Sequence, residues 1–95
     1  SEIVDTLPKY YFAKDKITVD FSLMESLMSI APSLFENYQL DTRDGLKAIG
    51  NKHFIHIRQS GTEPIIRIYV ESDTPEKSRT ICAEVKKMLG AINPI

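Results

Sequence analysis

KHFIHIRQSGTEPIIRIYVES, Lys52 to Ser72, sets two alternating apolar stretches on either side of a bend built from turn residues. In the second stretch Ile66, Ile68 and Val70 fall on one side of a strand and Arg67, Tyr69 and Glu71 on the other, because side chains alternate across a sheet. One face of such a hairpin is core and the other is polar. The pattern extends upstream through YQLDT from Tyr38 and LKAI from Leu46, separated by RDG and GN. Asp44-Gly45 and Gly50-Asn51 supply residues that tolerate the positive φ of tight turns, so the segment predicts an antiparallel meander.

The flanks predict helices. Leu23, Met24, Leu27, Met28 and Ala31 recur at helical spacing after a potential N-cap at Asp20. Pro32 disfavours helical geometry at Ala31 and should kink or end that helix, with room for a last turn over residues 33–36. Thr74 and Pro75 read as an N-cap followed by proline at the first helical position, and Ile81, Val85, Met88, Leu89 and Ile92 form a stripe that continues past Gly90. Ile17 to Val19 predicts a short strand, and residues 1–16, which show no clear period, read as a connector to a single domain over 17–95. The expected class is α+β: strand, helix, meander, helix. Both helices pack on the Ile/Val face, leaving Phe54, His56, Arg67 and Tyr69 on an open one.

Bulk properties narrow the function. A chain of 95 residues is large enough for one core but not two. A formal net charge of -1 supplies no field to attract a nucleic-acid backbone. No apolar run approaches the ~20 residues of a membrane span, and SEIVDTLPKYY has neither the basic start nor the apolar core expected of a signal peptide. Cys82, the single cysteine, lies on an apolar helix face and suits a reducing compartment, so the expected location is the cytoplasm. Met24 and Met28 read as packing residues. His53 and His56, three apart on a strand, face opposite sides and make a poor metal pair. Tyr10, Tyr11 and Phe12 fit either a wall of the core or a contact with another domain.

The bend itself has two readings. Ser, Gly, Thr and Pro are turn residues for local reasons. Alternatively, Gly61 turns backbone N–H groups inward, Ser60 and Thr62 donate hydroxyls, and Arg58 offers a planar fork matched to phosphate oxygens. Arg67 joins it if the register allows, while Glu63 must point away. A second function class is an interaction module whose open sheet face binds a protein or a single-stranded nucleic acid through Phe54, Tyr69 and Arg67.

RQSGTEPIIRIYVES, with Arg58, Ser60-Gly61-Thr62-Glu63-Pro64 and then Arg67, Tyr69 and Glu71, resembles the phosphate-binding loop of the C-terminal domain of the alpha-D-phosphohexomutases. DGLK at Asp44 to Lys47 is similar to that family as well. The resemblance implies a fold like the TATA-binding protein and a role as the fourth domain of a longer enzyme. In that family a phosphoserine in the first domain and a magnesium ion in the second perform phosphoryl transfer, the third domain reads the sugar, and the fourth holds the substrate phosphate. By resemblance, Arg58, Ser60, Gly61 and Thr62 contact the phosphate and Arg67 assists. The chain has neither a Ser-His-Asn-Pro sequence nor an Asp-x-Asp-x-Asp loop. It is thus expected to carry no catalytic residue, no metal ligand and no cofactor of its own, and to be inactive alone. The implied partners are a sugar phosphate and the other three domains. Phosphoglucosamine, phosphomannose and phosphoglucose all remain open as substrates.

Overall fold

The computed structural model describes residues 10–19 and 22–92. The expected cap at Asp20 and residues 1–9 of the expected connector lie outside them. Among the described residues the order is β1 (Tyr11–Thr18), α1 (Leu23–Leu34), β2 (Gln39–Asp41), β3 (Leu46–Gly50), β4 (His53–Gln59), β5 (Ile65–Ser72) and α2 (Pro75–Ile92). The strands form one antiparallel sheet of order β1-β5-β4-β3-β2. The α+β class, with its meander and two helices, is as expected.

Alternation decides which face is buried. Ile55 and Ile57 of β4 and Ile66, Ile68 and Val70 of β5 are each no more than 2% exposed. They share one core with Leu23, Leu27 and Ala31 of α1 and with Cys82, Val85 and Leu89 of α2. Burying each large aliphatic side chain contributes about 1.5–3 kcal/mol, which fixes the register, since a one-residue slip would turn this row to solvent. At the start of α2 the backbone N–H of Lys77 donates to Thr74 Oγ1 at 3.1 Å, the N-cap bond the sequence predicts. The Ser78 hydroxyl donates to the Tyr11 carbonyl at 2.6 Å and ties this helix to β1.

Three details refine or correct the expectation. First, β1 begins at Tyr11 and not at Ile17, so the end of the expected connector is an edge strand paired with β5 from Tyr11↔Ser72 to Thr18↔Ile65. Its alternation is masked because Asp15 occupies a core-side position. An ion pair with Lys86 of α2 at 3.2 Å makes that charge tolerable at the sheet edge, and an inward charge also discourages edge-to-edge pairing. Second, α1 runs through Pro32 and ends at Leu34, within the further turn that the sequence allows. Proline deletes only its own N–H bond, and Phe35 N–H still reaches the Ala31 carbonyl at 2.9 Å, so the helix closes within one turn. Third, the positive φ of the β3–β4 turn belongs to Lys52 (61°) and not to the Gly50-Asn51 pair. Gly50 is needed for a different reason: a Cβ there would lie 2.7 Å from the His53 ring and 2.9 Å from that of Tyr38. Those two side chains are joined by a 2.8 Å hydrogen bond between Tyr38 Oη and His53 Nε2.

Candidate functional site

The β4–β5 hairpin pairs Gln59 with Ile66, Arg58 with Arg67 and Ile57 with Ile68. Directly opposed residues of an antiparallel pair point the same way, with Cβ atoms about 5 Å apart. Ile57 and Ile68 bracket the core side of this register, so Arg58 and Arg67 stand together on the open face, one pair in from the bend. Both are exposed and both line a shallow concavity of about 460 Å³. Like charges placed directly opposite one another destabilise a sheet. The pair is therefore a local cost that a shared anion would relieve.

The bend is anchored at its base and open at its tip. Ser60 N–H donates to the Ile65 carbonyl at 3.0 Å, and Val19 N–H holds the Pro64 carbonyl at 2.8 Å. The amides of Thr62 and Glu63 converge on Ser60 Oγ, each at 3.3 Å. An oxygen that accepts twice keeps its own proton to donate outward. Gly61, Thr62 and Glu63 are exposed. Among the described residues Gly45 is the glycine with positive φ, and a Cβ added at Gly61 meets nothing within 4 Å. The turn itself does not demand glycine at this position.

The hairpin thus brings Arg58 and Arg67 together and sets Ser60, Gly61 and Thr62 beyond them, outside the concavity's lining. That lining also includes Lys14, Asp15, Lys47, Phe54, His56 and Tyr69. Phe54, His56 and Tyr69 lie on the face the sequence predicts. Lys14 lies in the part of β1 that precedes the expected strand; the alternation of Phe12, Lys14 and Lys16 against Ala13 and Ile17 is the signal for it in the sequence. Register sets Lys16 opposite Arg67, Lys14 opposite Tyr69 and Lys47 opposite His56. A chain of net charge -1 thus gathers a cationic band on one face. Arg43 is not part of it, because its guanidinium folds onto Asp41 at 2.8 Å and holds that carboxyl well below the usual carboxylate range.

Beyond the cations lies an aromatic row. Tyr69 is stacked between Phe12 (centroids 5.5 Å apart) and Phe54 (6.0 Å), and Lys47 Nζ sits 4.5 Å from the Phe54 centroid. Burial, and the hydrogen bond from its hydroxyl to Glu71 at 2.9 Å, push the Tyr69 phenol above its ordinary pKa. Both faces of Tyr69 are already covered. A nucleobase would have to break this stack to use it, which weakens the single-strand reading of the open face. Tyr10, Tyr11 and Phe12 are 47%, 40% and 59% exposed, so they do not wall the core. His53 and His56 face opposite sides as expected, and His56 Nε2 lies 2.7 Å from the Asp44 carbonyl oxygen.

Among the described residues no group of three or more His, Cys, Asp or Glu side chains is placed to hold a metal ion. The described residues therefore do not fit magnesium. No helix among them is long and apolar enough to cross a membrane.

A family model for the phosphoglucomutase/phosphomannomutase C-terminal domain matches residues 14–88. The chain is similar to a phosphoglucomutase/phosphomannomutase of Thermococcus kodakarensis, at 41% identity over 80 residues, 83% of this chain and 18% of that protein. It is also similar to a phosphoglucosamine/phosphogalactosamine mutase of Sulfurisphaera tokodaii, at 36% identity over 94 residues, 94% of this chain and 20% of that one. A crystal structure of a phosphoglucomutase/phosphomannomutase family protein from Burkholderia thailandensis shares the fold with a TM-score of 0.70 and 22% identity, over 99% of this chain and 20% of that one. The chain spans about a fifth of the length of these proteins. On the match over residues 14–88 and the identity to these relatives, the chain belongs to the phosphoglucomutase/phosphomannomutase family and carries its C-terminal domain.

Proposed function

We propose that this chain is the substrate-phosphate clamp of a phosphohexomutase, an enzyme interconverting a hexose or hexosamine 6-phosphate and 1-phosphate through a phosphoserine on another domain. The observation that carries the reading is the direct opposition of Arg58 and Arg67 at the foot of the Ser60-Gly61-Thr62 bend. Arg58 supplies a planar fork for two phosphate oxygens, Arg67 adds charge, and the Ser60 and Thr62 hydroxyls with the Gly61 amide complete the donor set. Holding the phosphate remote from the reacting oxygen orients the sugar with binding energy that the chemistry itself does not use. A clamp that reads phosphate alone accepts the sugar in either orientation, as a mutase requires. It also leaves sugar choice to other parts of the enzyme, in keeping with the different sugars in the relatives' names. Magnesium and the phosphoserine belong to those other parts, and the partner domains lie on the same longer polypeptide.

Titration of the 95-residue chain with inorganic phosphate, followed by amide and arginine side-chain NMR shifts, tests this. Ser60 to Thr62 and the guanidinium N–H groups of Arg58 and Arg67 are expected to move together, with a Kd in the millimolar range or weaker, because the open site is screened by water and salt. Shifts spread over Phe54, Tyr69 and Lys14 with a silent bend would favour the interaction-module reading. The same chain, assayed with hexose phosphates, is expected to show no mutase turnover. Activity that follows the purified chain through a sizing column would overturn that expectation.

Gly61 provides a separate check. Its surroundings admit a methyl group without contact, so Gly61→Ala is expected to change stability by less than about 0.5 kcal/mol. In the full-length enzyme it should nonetheless raise KM on the order of tenfold, because displacing a held group by about 1 Å is already costly. An unchanged KM would show that nothing approaches the tip.

A further inference from the structure

We propose that Asp44 is a positioning residue for Arg58, a role that rests on the clamp reading of the bend. The β2–β3 turn is fastened to β4 at three successive residues. The Asp44 carbonyl lies 2.7 Å from His56 Nε2. Gly45, at φ +71°, lies against the Ile57 carbonyl and the Arg58 side chain so closely that a Cβ would sit 2.4 Å from the first and 3.1 Å from Cγ of the second. The Asp44 carboxylate then reaches Arg58, with Oδ1 3.4 Å from Nε. Because Leu46 pairs with Ile57, a turn that ends just before Leu46 lies alongside β4. This one delivers a carboxylate to the root of the guanidinium.

The chemistry follows from which nitrogen is used. A guanidinium presents its donors along a rigid fork. A carboxylate at Nε leaves the outer end of the fork, where the two terminal nitrogens each present an N–H, free to meet two oxygens of one phosphate. Without Asp44, Arg58 faces the like charge of Arg67 across the strands, and the repulsion favours rotamers that swing it into water. The side chains of Arg58 and Asp44 are 59% and 69% exposed, so the ion pair adds little to stability. Its effect is on where the fork points. Asp44 sits beside the phosphate's ligand and does not touch the phosphate.

Steady-state kinetics of the full-length enzyme bearing Asp44→Asn, Arg58→Ala and both together test the proposal as a double-mutant cycle. Asp44→Asn is expected to raise KM about two- to fivefold, the range that an exposed ion pair supplies, with kcat little changed. In the Arg58→Ala background the same change should have no further effect. Equal losses in both backgrounds, or a KM in the single Asp44→Asn variant that is unchanged or lower, would overturn the positioning role. If Arg58→Ala alone leaves KM unaltered, the clamp reading fails and takes this role with it. A sensitive Arg58 beside an indifferent Asp44 removes only the latter.

Discussion

Arg58→Ala in the full-length enzyme is expected to lower kcat/KM about 10- to 150-fold, the equivalent of roughly 1.5–3 kcal/mol for a charge-assisted contact to the substrate phosphate. The fold should not suffer. Arg58 is an exposed side chain whose ion pair with Asp44 is weak, and its removal relieves the opposition to Arg67, so the unfolding midpoint is expected to hold or rise slightly. A site that gains stability on losing its ligand contact is the signature of charges assembled for binding. Arg58→Lys should recover part of the loss, since a point charge lacks the two-pronged geometry. The measurement is kcat/KM with matched thermal unfolding. A value within about twofold of wild type, with an intact fold, would return the bend to the status of an ordinary turn.

Gly45→Ala is expected to destabilise the domain by about 2–4 kcal/mol. Part comes from forcing an L side chain into the left-handed region, roughly 1–3 kcal/mol. The rest comes from the close approach of a Cβ, 2.4 Å, to the Ile57 carbonyl, which is backbone of β4 and cannot yield without disturbing the sheet. Urea unfolding of wild type and variant gives the number directly, and a change below about 0.5 kcal/mol would mean that the turn does not rest on β4 as described. Together with Gly61→Ala this separates two glycines of similar appearance in the sequence. One is required by the fold, and the other has no neighbour within the fold that requires it.

The parts of the structure written in local pattern were legible without it. Alternation in β4 and β5, the Thr74 cap, the stripe along α2 and the Asp44-Gly45 turn each concern residues within a turn or two of one another. The Arg58 to Glu71 motif likewise identified the family from contiguous residues. Where a local signal was interrupted by a group satisfied at a distance, reading failed. Asp15 broke the alternation of β1 because its partner, Lys86, is on α2, 71 residues away, and with that strand Lys14 was lost from the open face. Gly50 fits a turn by its local pattern, whereas in the fold it makes room for the Tyr38 and His53 rings, one of them 12 residues before it.

The sequence by itself determined that this protein is a two-helix, antiparallel α+β domain with a Ser-Gly-Thr bend between its last two strands. Period and turn chemistry are properties of neighbouring residues. Only the tertiary structure decided that Arg58 stands opposite Arg67, that Lys14 and Lys47 share their face, and that Asp44 reaches Arg58. Those juxtapositions depend on strand register. Register is set by the burial of Ile55, Ile57, Ile66, Ile68 and Val70 beneath both helices, a free energy belonging to the assembled core and to no single stretch of chain.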